Sequence, residues 1–183
     1  MSKKRPRILK RPTEELIKVE DDLQFEANAC SQNARKISSY ECFHFEVWID
    51  KHCLLRQFGG ENEEARKGIG IDILEDLVSR GFRYLTAIFL ENPNFKFIKF
   101  VEDRERDMRI VIKERNDDGE MLNIVVECHY IDISLYELTI ITAMVIEDFR
   151  ISDNQYVLQV NNENVTLKRF VSKGYQNIHE LKL

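Results

Sequence analysis

Hydrophobic residues recur at helical spacing in two stretches of the chain. The first follows Thr13, and its apolar positions are Leu16, Val19, Leu23, Ala27, Cys30, Ala34 and Ile37. The second lies between Asn62 and Gly81, and its apolar positions are Ile71, Leu74, Leu77 and Val78. Steps of three and four residues place such side chains on one face of a helix. The pattern predicts two amphipathic helices, at about 13–37 and about 62–80.

Alternation of apolar and polar residues dominates the rest of the chain. It runs from Phe43 to Ile49 and again from Leu122 to Tyr130, where Asn123, Glu127 and His129 occupy the polar side. A two-residue period is typical of a strand with one buried face. The dipeptide Asp118-Gly119 predicts a hairpin between two alternating runs. Apolar residues on either side of Asn92-Pro93-Asn94 predict strands at 83–90 and 95–101.

These elements predict one α+β domain at residues 13–183. Two helices would pack on a mainly antiparallel sheet of about six to seven strands. A chain of 183 residues, of which 43% are hydrophobic, is long enough to bury a core of this kind. Pro6 and Pro12 keep residues 1–12 out of regular helix, so these residues are predicted to form a flexible arm.

The charge of the chain is divided unevenly between the arm and the domain. Six of the 27 basic residues lie in the arm, which holds no acid: Lys3, Lys4, Arg5, Arg7, Lys10 and Arg11. The rest of the chain therefore has 21 basic against 32 acidic residues. Because Lys and Arg supply the contacts to phosphate, the arm rather than the acidic domain is the segment suited to nucleic acid.

The arm fits three uses that the sequence leaves open. It could lie extended in the groove of a nuclear import receptor, contact phosphates without sequence preference, or remain a solvated tail. Its deletion is expected to leave the melting temperature nearly unchanged, since it has little apolar surface to bury.

The first predicted helix has a narrow apolar face at Ala27, Cys30 and Ala34. Small side chains there would let a second element approach closely. That element is either the sheet of the same domain or a copy of the helix in a short coiled coil. The chain is accordingly expected to be a monomer or a weak homodimer.

Two groups of residues invite comparison with metal sites. The segment "ECFHFEVWIDKHC" holds Cys42, His44, His52 and Cys53, but without the paired cysteine spacing of a zinc site. The acids Glu114, Asp117, Asp118 and Glu127 could serve a metal-dependent nuclease if they met in space. We expect no metal or cofactor, because neither spacing matches an established ligand pattern.

No motif for nucleophilic catalysis is present. There is no Gly-x-Ser-x-Gly, and Cys128 and His129 would point to opposite faces of one strand. The sequence therefore favours a non-enzymatic interaction or regulatory protein, with another protein as partner and nucleic acid as a further partner through the arm. The alternatives are a metal-dependent hydrolase or nuclease, and an acidic inhibitor of a basic partner protein.

The sequence also bears on location. No apolar run approaches the roughly 20 residues that span a bilayer, and no signal-peptide pattern precedes the domain. The expected location is intracellular with no membrane contact. It would be nuclear if the source is a eukaryote and cytoplasmic otherwise.

Overall fold

Nine strands and two helices make up the part of the chain that can be described. The structure is a computed structural model that describes residues 34–40, 44–59, 68–100, 108–132, 135–172 and 174–183. The elements in chain order are β1 Ala34–Tyr40, β2 Phe45–Asp50, α1 Lys51–Gly59, α2 Ile71–Glu91, β3 Ile98–Phe100, β4 Ile110–Arg115, β5 Met121–Asp132, β6 Leu135–Val145, β7 Tyr156–Val160, β8 Asn164–Val171 and β9 Gly174–Lys182. The predicted α+β class is confirmed.

All nine strands belong to one mixed sheet. Its order is β1-β2-β6-β5-β4-β7-β8-β9, and β3 pairs with β5 beside the end of β4. The pairs β2–β6, β3–β5 and β4–β7 are parallel, and the others are antiparallel. Strand β5 lies at the centre, and β9 is the last strand at one end. The sheet is therefore mostly antiparallel, as predicted, but it has more strands than the six to seven expected.

The main core lies between α2 and one face of the sheet, which we call the helix face. Buried side chains of α2 meet alternate residues of the central strands, for example Leu77 and Phe82 against Phe45, Ile124 and Ile140. The opposite face carries a smaller apolar cluster of Val111, Val125, Ile151 and Val157. None of the described helices is long and apolar enough to cross a membrane.

Strand β2 and the β4–β5 hairpin follow the predicted pattern. Phe45, Val47 and Ile49 are fully buried on the helix face. The turn between β4 and β5 contains Gly119 at φ +81°, a conformation that glycine adopts without strain. The alternation and the Asp-Gly signal were thus sufficient to predict both elements.

The predicted first helix does not extend to residue 37. Ala34 begins β1, where it is fully buried and pairs with Asp50 of β2. Residues 13–33 lie outside the described part of the chain. The apolar step from Ala34 to Ile37 matches a helix, but pairing with β2 overrides so short a local pattern.

The second helix is displaced relative to its prediction. It begins at Ile71 rather than near residue 62, and it continues to Glu91 through the segment 83–90 that we predicted as a strand. Leu85 and Ile88 extend the buried stripe of α2 at helical spacing. Residues 68–70 precede the helix without regular structure, and 61–67 are not described. The turn at residues 92–94 therefore follows a helix instead of separating two strands.

Gly81 misled the prediction because it resembles a helix stop. It is buried in the middle of α2, and a Cβ at this position would lie 2.6 Å from Cδ1 of Ile112 on β4. A hydrogen atom in place of a side chain thus allows the helix to approach the sheet closely.

Replacing Gly81 with alanine is expected to destabilise the protein, although alanine favours helix by about 1 kcal/mol. The reason is overpacking against the buried Ile112, which costs about 1 to 3 kcal/mol. Ile112→Val removes the clashing Cδ1, so Gly81→Ala should become stabilising in that background. Urea denaturation of the wild type, the two single variants and the double variant measures whether the effect of Gly81→Ala on the free energy of unfolding changes sign. Equal effects in both backgrounds would contradict the close contact.

Candidate functional site

The basic residues of the arm lie outside the described part of the chain, as do Ala27 and Cys30. Ala34 is the one member of the predicted helix interface that the structure places, and it is buried in a strand. Among the residues of the candidate zinc segment, His44 and His52 are exposed, whereas Cys53 is buried in the main core. Cys42 lies outside the described part of the chain, and no three of the described members of this segment are placed to hold a metal ion.

The four acids proposed for a nuclease site do not meet. Glu114 points to the helix face and accepts two hydrogen bonds from Arg80 of α2, at 2.8 and 2.9 Å. Asp117 and Asp118 are exposed in the turn. Glu127 lies beyond the opposite end of the β4–β5 pairing and faces away from α2. Across the described ranges, no group of three His, Cys, Asp or Glu side chains is placed to hold a metal ion.

The most concentrated chemistry in the described structure is a group of buried polar side chains on the sheet face opposite α2. We call Lys99, Glu127, His129, Glu137 and Thr139 the buried polar cluster. They come from three strands that lie side by side, because Lys99 pairs with His129, His129 with Glu137, and Glu127 with Thr139. Prediction placed Glu127 and His129 on a solvent-facing side, and that was wrong. Both residues are at most 7% exposed.

Opposite charges compensate each other inside this cluster. Glu127 Oε1 lies 2.5 Å from Nε of Arg109, and its Oε2 lies 3.9 Å from Nζ of Lys99. The hydroxyl of Thr139 donates to Glu137 at 3.2 Å. A buried carboxylate needs such partners, since leaving water is costly for an isolated charge. The cluster can therefore hold β3, β4, β5 and β6 in register, and it is also where ionisable groups are dense enough for binding or catalysis.

Nothing in the local sequence distinguished this cluster. The polar positions of β5 alternate as they would on any solvated face, and Lys99 sits in an ordinary alternating run. Such alternation is typical of a strand with one face on the core and the other in water, so it argued against burial of the polar side.

Cys128 lies on the helix face, between Glu127 and His129 on the other face. This confirms that the adjacent cysteine and histidine point apart. Burial, followed by the nearby charge of Glu127, raises the pKa of the Cys128 thiol to about 12. The thiolate is the nucleophilic form of cysteine, so Cys128 is not activated in this environment.

Thiol labelling should reflect this burial. With a pKa of about 12, Cys128 is thiolate in only about one molecule in ten thousand at pH 8. We expect iodoacetamide to leave Cys128 unmodified in the native protein at pH 8 and to modify it in 6 M guanidinium, as read by peptide mass spectrometry. Rapid native labelling at Cys128 would contradict its placement in the core.

An open depression lies at the turn end of the sheet. Its volume is about 560 Å³, and residues 114–117 and 160–164 line it. Two of its charged side chains are engaged in ion pairs, since Glu114 binds Arg80 and Arg115 binds Glu147. We assign it no ligand.

Strand β9 presents a second kind of surface, an edge at the end of the described sheet. It pairs with β8 on one side, and no described strand pairs with its other side. Its first four residues are exposed, and Tyr175, at 51% exposed, is the largest of them. Strand β9 was not predicted from the sequence, because only Ile178 and Leu181 pack on the core and the alternation of the strand is therefore weak.

The hydrogen bonds around β9 show which main-chain groups face outward. The N–H of Leu183 donates to the carbonyl of Glu163 at 3.1 Å, so by alternation the N–H and C=O of Glu180 and Lys182 point away from β8. At the other end, Phe170 of β8 makes its bonds toward β7, with Asn154 and Gln155.

Tyr175 is the β9 residue opposite Phe170. Because Phe170 bonds toward β7, the pair is not hydrogen-bonded, and the main-chain groups of Tyr175 point away from β8, as do those of Asn177 two residues on. Four residues of β9 therefore offer outward donors and acceptors: Tyr175, Asn177, Glu180 and Lys182.

Comparison with protein-family models, with curated proteins and with solved structures found no match for this chain.

Proposed function

We propose that the chain is a non-enzymatic protein-interaction module, and that a strand of the partner binds by adding to the sheet at β9. The observation that carries the proposal is the edge of β9 with which no described strand pairs. Main-chain groups on such an edge form a template for one more strand, whose hydrogen bonds supply affinity while side chains supply specificity.

The length and composition of β9 support this use. Natural edges are usually protected by being short or by carrying proline or several charges. Strand β9 has nine residues and no proline, and its charged residues are confined to Glu180 and Lys182 near one end. Its pairing with β8 contains one irregularity, opposite Leu167 and Lys168. An edge of this length can align a partner strand over several residue pairs.

Exposed apolar side chains border the same edge. Tyr175 packs its ring against Phe170 of β8 at 5.3 Å between centroids, and Val171 and Leu183 are also exposed. Aromatic side chains with one free face are frequent at protein interfaces. The edge thus combines main-chain hydrogen-bonding groups with apolar contact area.

The basic arm supplies the second part of the proposal. Its six cations would bring the module to an acidic groove, such as that of an import receptor, or to nucleic acid. The arm and β9 would then act separately, one through charge and the other through strand pairing.

A pull-down from extract of the source cell tests the proposal. Tyr175→Lys with Asn177→Lys places two charges on the edge and should remove the proteins that wild type retains. The matched control is Asn94→Lys with Asn162→Lys, which adds the same charge at exposed turns. Deleting residues 2–11 should remove nucleic acid and leave the edge-dependent proteins. Identical protein recovery with all variants would overturn the role of β9.

The buried polar cluster favours a second candidate function, a hydrolase that uses Glu127, His129 and Glu137. Such residues are the usual carriers of general acid and base catalysis. Nuclease and phosphatase assays with Mg²⁺ or Mn²⁺ would test it. Hydrolysis that is lost in both His129→Gln and Glu137→Gln, with the melting temperature preserved, would replace the first proposal.

A further inference from the structure

We propose that the strand which adds to β9 is β9 of a second copy of this chain, related by a two-fold axis perpendicular to the sheet. The inference rests on the proposed function and names the partner at the same edge. The reason is an irregularity in β9. A strand with regular spacing cannot match this irregularity, whereas a second β9 can.

The irregularity is a bulge at Ile178. Leu167 of β8 pairs with His179, and the next residue, Lys168, pairs with Asn177, so Ile178 has no residue opposite it. A bulge inserts one extra residue into one strand. As a result, the outward-facing groups of Asn177 and Glu180 are separated by three residues rather than by the usual two.

Four residues have main-chain groups that point away from β8, namely Tyr175, Asn177, Glu180 and Lys182. The bulge also places the side chains of all four on one face of the sheet. Tyr175 contacts Phe170, which belongs to the cluster opposite α2. Glu180 accepts a hydrogen bond from Asn164 at 2.7 Å and pairs with Thr166. The residues between them face α2 instead, since Leu181 packs on the main core and His179 Nε2 lies 2.9 Å from Glu91 of α2.

A second β9 reproduces this arrangement in reverse. In an antiparallel pairing centred between Ile178 and His179, Asn177 lies opposite Glu180 of the second copy, and Tyr175 lies opposite Lys182 of the second copy. The symmetry axis generates each pair twice. Every member of these pairs directs its N–H and C=O toward the other strand, so each is a hydrogen-bonded pair.

The side chains in this register are complementary. Asn177 can donate from its amide to the Glu180 carboxylate of the second copy. The ammonium of Lys182 can lie over the exposed ring of Tyr175 of the second copy, which is a favourable cation–π contact. Glu180 does not lie opposite Glu180 of the second copy, and Lys182 does not lie opposite Lys182. No like charges therefore face each other across the axis.

The three-residue step is the reason for choosing a second copy over an unrelated strand. A regular strand spaces its outward groups every two residues, so it falls out of register with β9 at Ile178. A second β9 carries the same step at the same place. The pairing involves a single strand from each chain and buries less than the roughly 1,600 Å² of a standard interface, so the dimer should be weak and concentration-dependent.

Cysteine cross-linking tests the register. Asn177→Cys and Glu180→Cys proteins, mixed under oxidising conditions, should form a disulfide-linked dimer, because Cα atoms of a hydrogen-bonded pair are about 5.5 Å apart. Each variant alone should not, since the same residue in the two copies is about 10 Å away along the strand. The wild-type protein, oxidised in parallel, is the control for any cross-link that forms through the native cysteines. Equal cross-linking in the unmixed samples would overturn this register.

Sedimentation of the full chain over a concentration series tests the dimer itself. Glu180→Pro removes an outward N–H on each copy, a change that an edge strand tolerates, and should weaken the dimer on the order of tenfold. Glu180→Gln keeps the N–H and should remain close to wild type. A wild type that stays monomeric at every concentration and forms no mixed disulfide overturns the inference. If the Tyr175→Lys, Asn177→Lys variant then still loses proteins in the pull-down, the proposed function stands without it.

Discussion

Replacing Glu127 with alanine is expected to lower the free energy of unfolding by about 3 to 5 kcal/mol, the usual effect of removing one partner from a buried ion pair. Glu127 lies between Arg109 and Lys99, and Lys99 is only 3% exposed. Without the carboxylate, the ammonium of Lys99 remains buried close to Arg109. Urea denaturation followed by circular dichroism measures the loss.

Two comparisons make this prediction specific to burial. Glu147→Ala removes the partner of Arg115 in an exposed ion pair and should barely change stability. The double variant Lys99→Met, Glu127→Leu removes both charges and should recover a large part of the loss, because apolar residues of similar volume can replace a buried pair. A Glu127→Ala protein as stable as Glu147→Ala would show that the cluster is open to water.

Phe82→Ala is expected to lower the free energy of unfolding by about 3 to 5 kcal/mol, as deletion of a buried aromatic ring usually does. Phe82 projects from α2 into the sheet, and its ring centroid lies 5.0 Å from that of Phe45, 5.6 Å from Tyr136 and 6.1 Å from Phe97. It thus joins the helix to β2, β6 and the segment before β3. Thermal and urea denaturation both report the effect.

The matched control for Phe82 is Phe89, seven residues further along α2. Its ring contacts Phe97 at 6.2 Å, but the residue is 37% exposed. Phe89→Ala should therefore destabilise the protein much less than Phe82→Ala. Similar losses at the two positions would mean that α2 is rotated relative to the sheet.

Local patterns were sufficient where an element has one buried face and a distinctive turn. Strand β2 was predicted from its alternation, and the hairpin between β4 and β5 from Asp118-Gly119, which needs the positive φ that glycine adopts easily. The apolar stripe of α2 was identified, but its end was placed at Gly81, ten residues before Glu91. Glycine signals both a helix end and a close contact, and only the position of Ile112 distinguishes the two.

Residue types and short spacings alone were enough to predict the α+β class and the alternation of β2 and β5, and they show that residues 1–12 are basic while the rest of the chain is acidic. These properties depend on residue types and on spacings of two to four positions, which local physics converts directly into strands, helices and net charge. Only the folded chain shows that the polar side of β5 is buried, that Glu127 meets Arg109 and Lys99, and that β9 ends the described sheet. Whether a strand is central or at an edge depends on which distant segments pair with it, and no local pattern records that choice.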